Sequence, residues 1–238
     1  HSFLVIEENR FAFAAAMQLR TPEASRPCRL VNITGPSGCG KSHLARQLLR
    51  DARREDPQLI DVHVTAAEFA AEYAAASQGQ CIPEFQQSFR RSQLLVVEDL
   101  QLLESRPGAQ QELLAVLDDV IQQGGRVLLT ANQPVGELRN LPGKLISRCH
   151  GGVCAEVRLP GTASRTTLLS HFAQALQLPV PEDVLRVLAR ELVLSPRELH
   201  GALLNLRNIA DGSRQRIDLD AAQQVIRELA TSGGPSLP

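Results

Sequence analysis

A glycine-rich run near the start of the chain has the residue types and spacing that bind phosphate groups. It reads G-x-x-x-x-G-K-S from Gly35 to Ser42, between the apolar stretch RLVNIT and a stretch with helical spacing. Glycines allow a tight loop whose backbone N–H groups converge on phosphate oxygens, and the N-terminus of the following helix favours anions. In such a loop Lys41 would meet the β- and γ-phosphates, and the Ser42 hydroxyl would bind Mg²⁺. The expected nucleotide contacts are Gly35, Pro36, Ser37, Gly38, Cys39, Gly40, Lys41, Ser42 and His43.

Two adjacent acids, Glu98 and Asp99, end another apolar run, LLVVED. In an open parallel sheet, ligands bind beyond the carboxyl ends of the strands, and the phosphate loop also follows a strand. We expect Glu98 to join Ser42 in the Mg²⁺ site, and Asp99 to orient or deprotonate the attacking water. Asn132 follows the run RVLLTA in the same way and could hold that water with its amide. Without the phosphate loop upstream, the two acids would be equally consistent with a solvated strand end.

Two arginines, Arg148 and Arg197, are candidates for contacts with nucleotide phosphates. Arg197 lies in the first turn of a predicted helix, two residues after the predicted cap Ser195. A cation there opposes the helix dipole by about 0.3–1 kcal/mol, and an anion in front of the helix would offset that cost. Arg148 lies late in a short predicted helical turn, GKLISRC, where a cation is favourable in any case. Its type and position alone are equally consistent with a surface arginine.

Five short runs rich in Val, Ile and Leu alternate with helical stretches up to residue 160, which predicts βαβ units and a mostly parallel sheet. The predicted strands are 29–34, 59–65, 94–99, 126–131 and 155–159, and the helices between them are 42–54, 66–76, 83–91 and 109–123. A capping box, Thr65-x-x-Glu68, marks the start of the second helix. After Pro160 only helical spacing remains, over 163–176, 181–192, 195–210 and 219–230. We therefore expect an α/β core at 1–160, a helical subdomain at 161–231 and a flexible tail at 232–238.

The composition is typical of a soluble globular protein, with 43% hydrophobic residues, 21% charged residues and a net charge of −1. This balance does not by itself require nucleic acid or an anionic membrane as a partner. Five cysteines without a C-x-x-C pair, in a chain of this length, favour a reducing cytoplasm over a disulfide scaffold. No run approaches the ~20 apolar residues of a membrane span, and the first residues lack the basic start of a signal peptide. We expect a cytoplasmic protein.

Taken together, these motifs resemble the AAA+ ATPase module of the bacterial chromosomal replication initiator DnaA. The resemblance extends from Phe3 to Ala230 and is carried by NRFAFAAA, GKSHL, PEFQQSFRRSQLLVVEDLQLL, LISR and SPRELHGALLNL. It implies a three-layer αβα P-loop NTPase core with a parallel sheet, a small helical lid, and ATP or ADP bound with Mg²⁺. It also implies a slow ATP-hydrolysing switch in replication initiation that forms an ATP-dependent oligomer and engages single-stranded origin DNA. The replicative helicase and other AAA+ replication proteins are further partners that the resemblance implies.

The same resemblance implies roles for individual residues. Asn9 would lie near the adenine, Asn132 would be sensor I and Arg197 would be sensor II. Arg148 matches the arginine finger, which reaches the ATP of a neighbouring subunit. The helices before the LLVVED strand resemble those that initiators use to build a filament and grip single-stranded DNA.

The chain departs from the family pattern near the paired acids. Glu98-Asp99 stands where the family usually has Asp-Asp. In the loop after these acids, initiators carry two basic residues, of which Arg106 has a counterpart here while Gly108 occupies the other position. Asn132 stands where the family often shows Asp, and Cys149 follows the finger arginine in place of an aromatic residue.

Two other functions fit parts of this pattern. A DnaA-related regulator or helicase-loader-type AAA+ protein would share the fold and act through protein contacts without its own duplex-DNA reader. The predicted helices end near Ala230, so we expect no helix-turn-helix reader within these residues. A small-molecule P-loop kinase would share the phosphate loop, but the all-helical region after Pro160 counts against it. The chain lacks the N-K-x-D motif that guanine-binding proteins of this type usually carry, so adenine is the expected base.

Overall fold

The computed structural model describes residues 3–21, 28–213 and 216–231, which fall into two compact units. The first unit comprises Asn9–Gly35 and Lys41–Val157 together with the first residues of the chain. The second comprises Leu4–Glu8, Pro36–Gly40 and the chain from Arg158 onward. The tail predicted at 232–238 lies outside the described residues. Within the described part of the chain, we find no helix with the length and apolar character needed to cross a membrane.

The first unit is built on a five-stranded sheet in the order β2-β3-β4-β1-β5, with every neighbouring pair parallel. Its strands are β1 (Leu30–Thr34), β2 (Asp61–Thr65), β3 (Leu94–Glu98), β4 (Arg126–Ala131) and β5 (Val153–Glu156). Its helices are α1 (Arg10–Met17), α2 (Lys41–Glu55), α3 (Ala66–Gln78), α4 (Ile82–Arg90), α5 (Pro107–Gln122) and α6 (Gly143–His150). Short 3₁₀ helices cover Glu7–Asn9, Leu100–Leu103 and Val135–Glu137. The predicted parallel α/β core is confirmed.

The three middle strands position the residues that could do chemistry. Every residue of β1, β3 and β4 is buried, as expected for strands covered on both faces. β4 lies between the other two, with Thr34 of β1 opposite Ala131 and Val97 of β3 opposite Leu129. The carboxyl ends of the three strands therefore meet at one edge of the sheet, and the residues that follow them emerge there.

The last strand is the one that the sequence misplaces. The predicted strand at 155–159 is wrong by two or three residues, since β5 covers Val153–Glu156. Within the described part of the chain β5 pairs only with β1, and Thr34, the last residue of β1, lies opposite Glu156. Beyond that pair β1 turns into the phosphate loop, so the following residues have no strand to pair with. Val157 still donates its N–H to the Thr34 carbonyl at 2.7 Å, but Leu159 is exposed.

The predicted capping box starts α3 as expected. The Thr65 side chain accepts from the Glu68 N–H, and the Glu68 carboxylate accepts from the Thr65 N–H. Helix α3 then packs against α4 through aromatic side chains, since the Phe69 ring lies 5.3 Å from Phe85 and 5.1 Å from Phe89 between centroids. These two helices precede β3 and share the main core of the first unit.

The second unit is helical, as predicted. It contains α7 (Thr162–Ala175), α8 (Glu182–Glu191), α9 (Pro196–Ser213) and α10 (Leu219–Thr231). Their apolar faces form one core, which includes Leu168, Leu169, Val184, Leu188, Leu199, Leu203, Leu206 and Val225. Arg165 is buried at the start of α7, where its guanidinium donates to the carbonyls of Ala189 (2.6 Å) and Pro160 (2.8 Å). These bonds satisfy a buried cation and connect α7 to the end of α8.

Candidate nucleotide-binding site

The first residue of the phosphate loop requires glycine for two reasons. Gly35 has φ +146°, a backbone conformation that side chains rarely allow. A Cβ at this position would also lie 2.1 Å from the Val157 carbonyl oxygen, which is a backbone atom that cannot move aside. The Gly35 carbonyl accepts a 2.6 Å hydrogen bond from the ammonium group of Lys41, which is buried at the start of α2. The lysine ammonium is thus held at the first residue of the loop.

The middle of the loop is held by the start of α9, within the second unit. Gly38 has φ +80°, and its carbonyl accepts a 3.3 Å hydrogen bond from the Arg197 N–H. A Cβ on Gly38 would lie 2.6 Å from the Ser195 hydroxyl. Ser195 is the buried cap of α9, and its N–H and hydroxyl donate to the Glu198 carboxylate at 2.8 and 2.6 Å. The predicted cap is confirmed, and the Arg197 guanidinium is exposed with no ion pair among the described residues.

Glu98 is a buried acid that the structure brings to Ser42. Burial disfavours the carboxylate, but hydrogen bonds from His63 and from the Ser42 hydroxyl outweigh it and lower the pKa of Glu98 below its ordinary value. The His63 Nε2 lies 2.6 Å from the Glu98 Oε1. An ionised carboxylate can only accept, so the histidine nitrogen must be the donor. At neutral pH Glu98 is therefore charged, although only 5% of the residue is exposed.

The second oxygen of Glu98 has the properties expected of a metal ligand. Its Oε2 is buried and has no hydrogen-bond partner among the described residues. An unpaired buried carboxylate oxygen is costly unless a cation or water satisfies it. The Ser42 hydroxyl, which helps to lower the pKa of Glu98, is the other oxygen ligand that P-loop proteins use for Mg²⁺. The residues present therefore fit a Mg²⁺ site.

Asp99 and Asn132 are linked through a residue that the sequence did not single out. The Gln101 amide donates to the Asp99 Oδ1 at 3.0 Å, and its carbonyl oxygen accepts from the Asn132 N–H at 3.1 Å. Asp99 itself has a left-handed backbone, with φ 61° and ψ 53°. Its N–H donates to the hydroxyl of Thr130, a buried residue of β4, at 3.1 Å. Asp99 and Asn132, the two candidates for orienting the attacking water, therefore belong to one hydrogen-bond network.

Two further predicted contacts lie near the N-terminal end of the chain. Asn9 is buried and occupies the N-cap position of α1 without a side-chain capping hydrogen bond, and its place near the adenine stays a prediction. His43, the residue after Ser42, packs edge-on against Phe3, whose ring stacks on Phe13 with 5.7 Å between centroids. Phe3 also donates its N–H to the Gln47 side chain of α2. These contacts tie the first residues to the helix that follows the phosphate loop.

Arg148 lies at the edge of the sheet opposite to the phosphate loop. It lines a cleft of about 420 Å³ together with Arg29 and Leu30, at the amino end of β1. Gly35 follows the carboxyl end of the same strand, about 16 Å from Leu30. The Arg148 guanidinium forms an ion pair with Asp118 of α5. The arginine therefore does not reach the phosphate loop of its own chain.

The parallel sheet, the phosphate loop after β1 and the paired acids at the end of β3 define a P-loop ATPase of the AAA+ class. Residues 1–156 match the family model described as the bacterial DnaA ATPase domain. Since this match covers more than half of the 238 residues, the chain belongs to that family. The resemblance to DnaA that the motifs indicated is confirmed, and the interpretation as a small-molecule kinase is excluded.

Solved structures of DnaA have the same fold. Domain III of the Thermotoga maritima replication initiation protein DnaA has a TM-score of 0.86 and 22% identity, over 95% of this chain and 94% of that one. AMPPCP-bound DnaA from Aquifex aeolicus has a TM-score of 0.78 and 21% identity, over 86% of this chain and 63% of that one. A structure of the replication initiator DnaA bound to AMPPCP and single-stranded DNA has a TM-score of 0.79 and 20% identity, over 98% and 73%. At these identities the likeness establishes the fold.

The residues missed by sequence reasoning are those whose side chains reach a candidate site residue from another part of the fold. His63, Gln101, Thr130 and Asp118 carried no motif. Thr130 left a signal, because it is a hydroxyl inside the otherwise apolar run RVLLTA. A buried hydroxyl needs a partner, and the turn after the neighbouring strand could supply one. His63 could be placed beside Glu98 only once the register of β2 on β3 was known.

Proposed function

We propose that the chain binds ATP and ADP with Mg²⁺ and hydrolyses ATP slowly, as the nucleotide switch of a DnaA-type replication initiator. The observation that carries this proposal is the convergence of Ser42 and Glu98 beside the phosphate loop, with a buried carboxylate oxygen left without a partner. We propose that 1–160 acts as the nucleotide-binding core and 161–231 as its lid.

Each group at the sheet edge has a role that its chemistry supports. The Lys41 ammonium and the loop N–H groups would bind the β- and γ-phosphates. Ser42 and Glu98 would hold Mg²⁺, which when bound neutralises charge on the β- and γ-phosphates. Asp99 would take a proton from the attacking water, and Asn132 would orient that water. Arg197, in the first turn of α9, would add a cation to the γ-phosphate.

The lysines of this chain allow a controlled test of nucleotide binding. The chain has two, Lys41 in the loop and Lys144 in the exposed first turn of α6. Lys41→Ala should weaken binding of fluorescently labelled ATP by about 100-fold, the value expected for a lost charged hydrogen bond. Lys144→Ala should bind as the wild type does. If Lys41→Ala binds labelled ATP with the wild-type affinity, the assignment of Gly35 to Ser42 as the phosphate-binding site is wrong.

Assembly would follow from the position of Arg148. An arginine at the edge opposite to its own phosphate loop can act on nucleotide only in another subunit, which supports its role as a finger in an ATP-dependent oligomer. There it would stabilise negative charge on the γ-phosphate. We also propose that the replicative helicase or another AAA+ protein contacts this assembly.

We further propose that the assembled chain engages single-stranded DNA through the region of α3, α4 and Arg106. One of the similar structures is that of a DnaA bound to single-stranded DNA, and Arg106 is an exposed cation between β3 and α5. Arg106→Ala should weaken binding of a single-stranded oligonucleotide and lower the slope of log K against log salt by about 0.7. Arg186→Ala, on the exposed face of α8, is the control and should leave both values unchanged. Equal binding by both variants would contradict the assignment.

A further inference from the structure

The least expected contact in the site is that between His63 and Glu98. We infer that His63 is a positioning residue, which fixes the Glu98 carboxylate so that its free oxygen is available to Mg²⁺. This inference rests on the proposed nucleotide function and adds to it a residue on the neighbouring strand. The DnaA resemblance assigns His63 no role.

The sheet register explains why the two side chains meet. His63 of β2 lies opposite Val96 of β3, and Glu98 lies two residues further along the same face. Diagonal neighbours of this kind are within reach of a long side chain and a ring. A glutamate spans the gap, and the His63 Nε2 lies 2.6 Å from its Oε1. An aspartate at the same position would place its carboxylate one carbon–carbon bond further from the histidine.

The need for such an anchor follows from the flexibility of glutamate. It has one more rotatable bond than aspartate, so fixing its carboxylate costs more conformational entropy. His63 supplies a charge-assisted hydrogen bond to one oxygen of the carboxylate, Oε1. The remaining oxygen, Oε2, is buried and has no partner among the described residues. Partners that orient a ligating carboxylate typically change metal affinity by about 10–100-fold when removed.

A purely structural role for this contact predicts different behaviour. His63 lies on an edge strand and its side chain is 30% exposed, so its replacement should leave the fold intact. If the pair only stabilised the sheet, its loss would lower the unfolding temperature and leave Mg²⁺ binding unchanged. If His63 positions Glu98, its replacement weakens the binding of Mg²⁺ and has much less effect on nucleotide binding measured without metal.

The test compares His63→Phe, which keeps a ring without a donor, with His63→Gln, whose amide can donate again. The readout is the Mg²⁺ concentration that gives half of the metal-dependent gain in labelled-ATP binding. We expect about a 10-fold increase for His63→Phe, with binding in EDTA unchanged, and recovery towards the wild-type value for His63→Gln. His150→Phe, which replaces an exposed histidine of α6, is the control and should match the wild type.

A second arm tests whether the effect passes through Glu98. In a Glu98→Asp background the shorter side chain should not reach the histidine, so adding His63→Phe should change the Mg²⁺ midpoint little. An equal effect in both backgrounds would overturn the inference, as would a wild-type midpoint in a folded His63→Phe protein. Failure of the wild type itself to bind nucleotide in EDTA or Mg²⁺ would instead overturn the proposed function. Thermal unfolding of each variant establishes that it is folded.

Discussion

The guanidinium of Arg148 is paired with the carboxylate of Asp118 on the neighbouring helix of the same subunit. The two side chains are 34% and 41% exposed, so the pair belongs to the surface class, which contributes about 0.2–1 kcal/mol. To contact the ATP of a neighbouring subunit, the Arg148 guanidinium would have to break its ion pair with Asp118 or form both contacts at once. If Arg148 acts as the proposed finger, the ion pair would oppose assembly weakly.

The first prediction concerns assembly. Arg148→Ala should keep the ATP affinity of the monomer and remove the ATP-dependent oligomer, because the arginine lies outside its own nucleotide site. Asp118→Asn should have the opposite effect and lower the protein concentration needed for assembly by up to about fivefold, the equivalent of 1 kcal/mol. Sedimentation velocity with a slowly hydrolysed ATP analogue measures both. Assembly of Arg148→Ala at the wild-type concentration would return Arg148 to being a surface arginine.

The two adjacent acids should separate in their effects. Asp99→Asn should slow ATP hydrolysis by about 100-fold or more while ATP stays bound, since a general base contributes on that order. Glu98→Gln should instead remove most of the Mg²⁺ dependence of ATP binding, because an amide oxygen is a poorer ligand than a carboxylate. Steady-state hydrolysis and labelled-ATP titrations at several Mg²⁺ concentrations distinguish the two. Small and equal effects would contradict the roles proposed for both acids.

Gln101 should matter for hydrolysis and not for binding. Gln101→Leu removes both hydrogen bonds that join Asp99 to Asn132, and we expect the hydrolysis rate to fall by about 10–100-fold through misplacement of these groups. Gln133→Leu is the matched control, because Gln133 bonds only to the Glu137 carbonyl among the contacts described. Single-turnover hydrolysis with ATP in saturating amounts is the measurement. A normal rate in Gln101→Leu would show that the bridge is incidental.

Glu8 gives a stability prediction with a defined pH dependence. Burial alone would raise the pKa of Glu8, but hydrogen bonds from the Ser164 side chain and the Gly161 N–H lower it below 4.5. A lowered folded-state pKa adds stability above the unfolded value, which is lost as the pH falls through the folded value. Glu8→Gln should therefore lower the free energy of unfolding by about 1 kcal/mol at pH 7, and by less as the solution is acidified below pH 4.5.

Urea unfolding of both proteins across this pH range measures the difference. A gap that stays constant into acid would mean that the charge of Glu8 is not what stabilises the α7 start.

The sequence predicted the phosphate loop and the two acids because both depend on local spacing and on the parallel direction of the strands. Glycines at fixed intervals before a lysine determine the loop wherever a strand and helix flank it, and Glu98 must emerge where its buried strand ends. The parallel direction of the strands then brings Asn132, which follows β4, to the same edge. None of this needs the orientation of individual side chains.

What the sequence could not predict depends on register and side-chain length. His63 reaches Glu98 only because β2 pairs with β3 in one register, and a shift by one residue would turn the ring to the other face. The pairing of Arg148 with Asp118 depends on how α6 packs beside α5. The misplaced end of β5 has the same origin, because that strand stops where its partner turns away rather than where its own apolar run ends.

The hydrogen bond between the Lys41 ammonium and the Gly35 carbonyl has a consequence for nucleotide recognition. The lysine already has a partner within its own loop, so drawing it to a phosphate is an exchange of one acceptor for another. Its contribution to affinity is the difference between a carbonyl and a phosphate oxygen, not the whole of the new bond. Because an ammonium gains more from a doubly charged γ-phosphate than from a neutral carbonyl, this exchange favours polyanions over uncharged ligands. The loop thereby selects its ligand by charge.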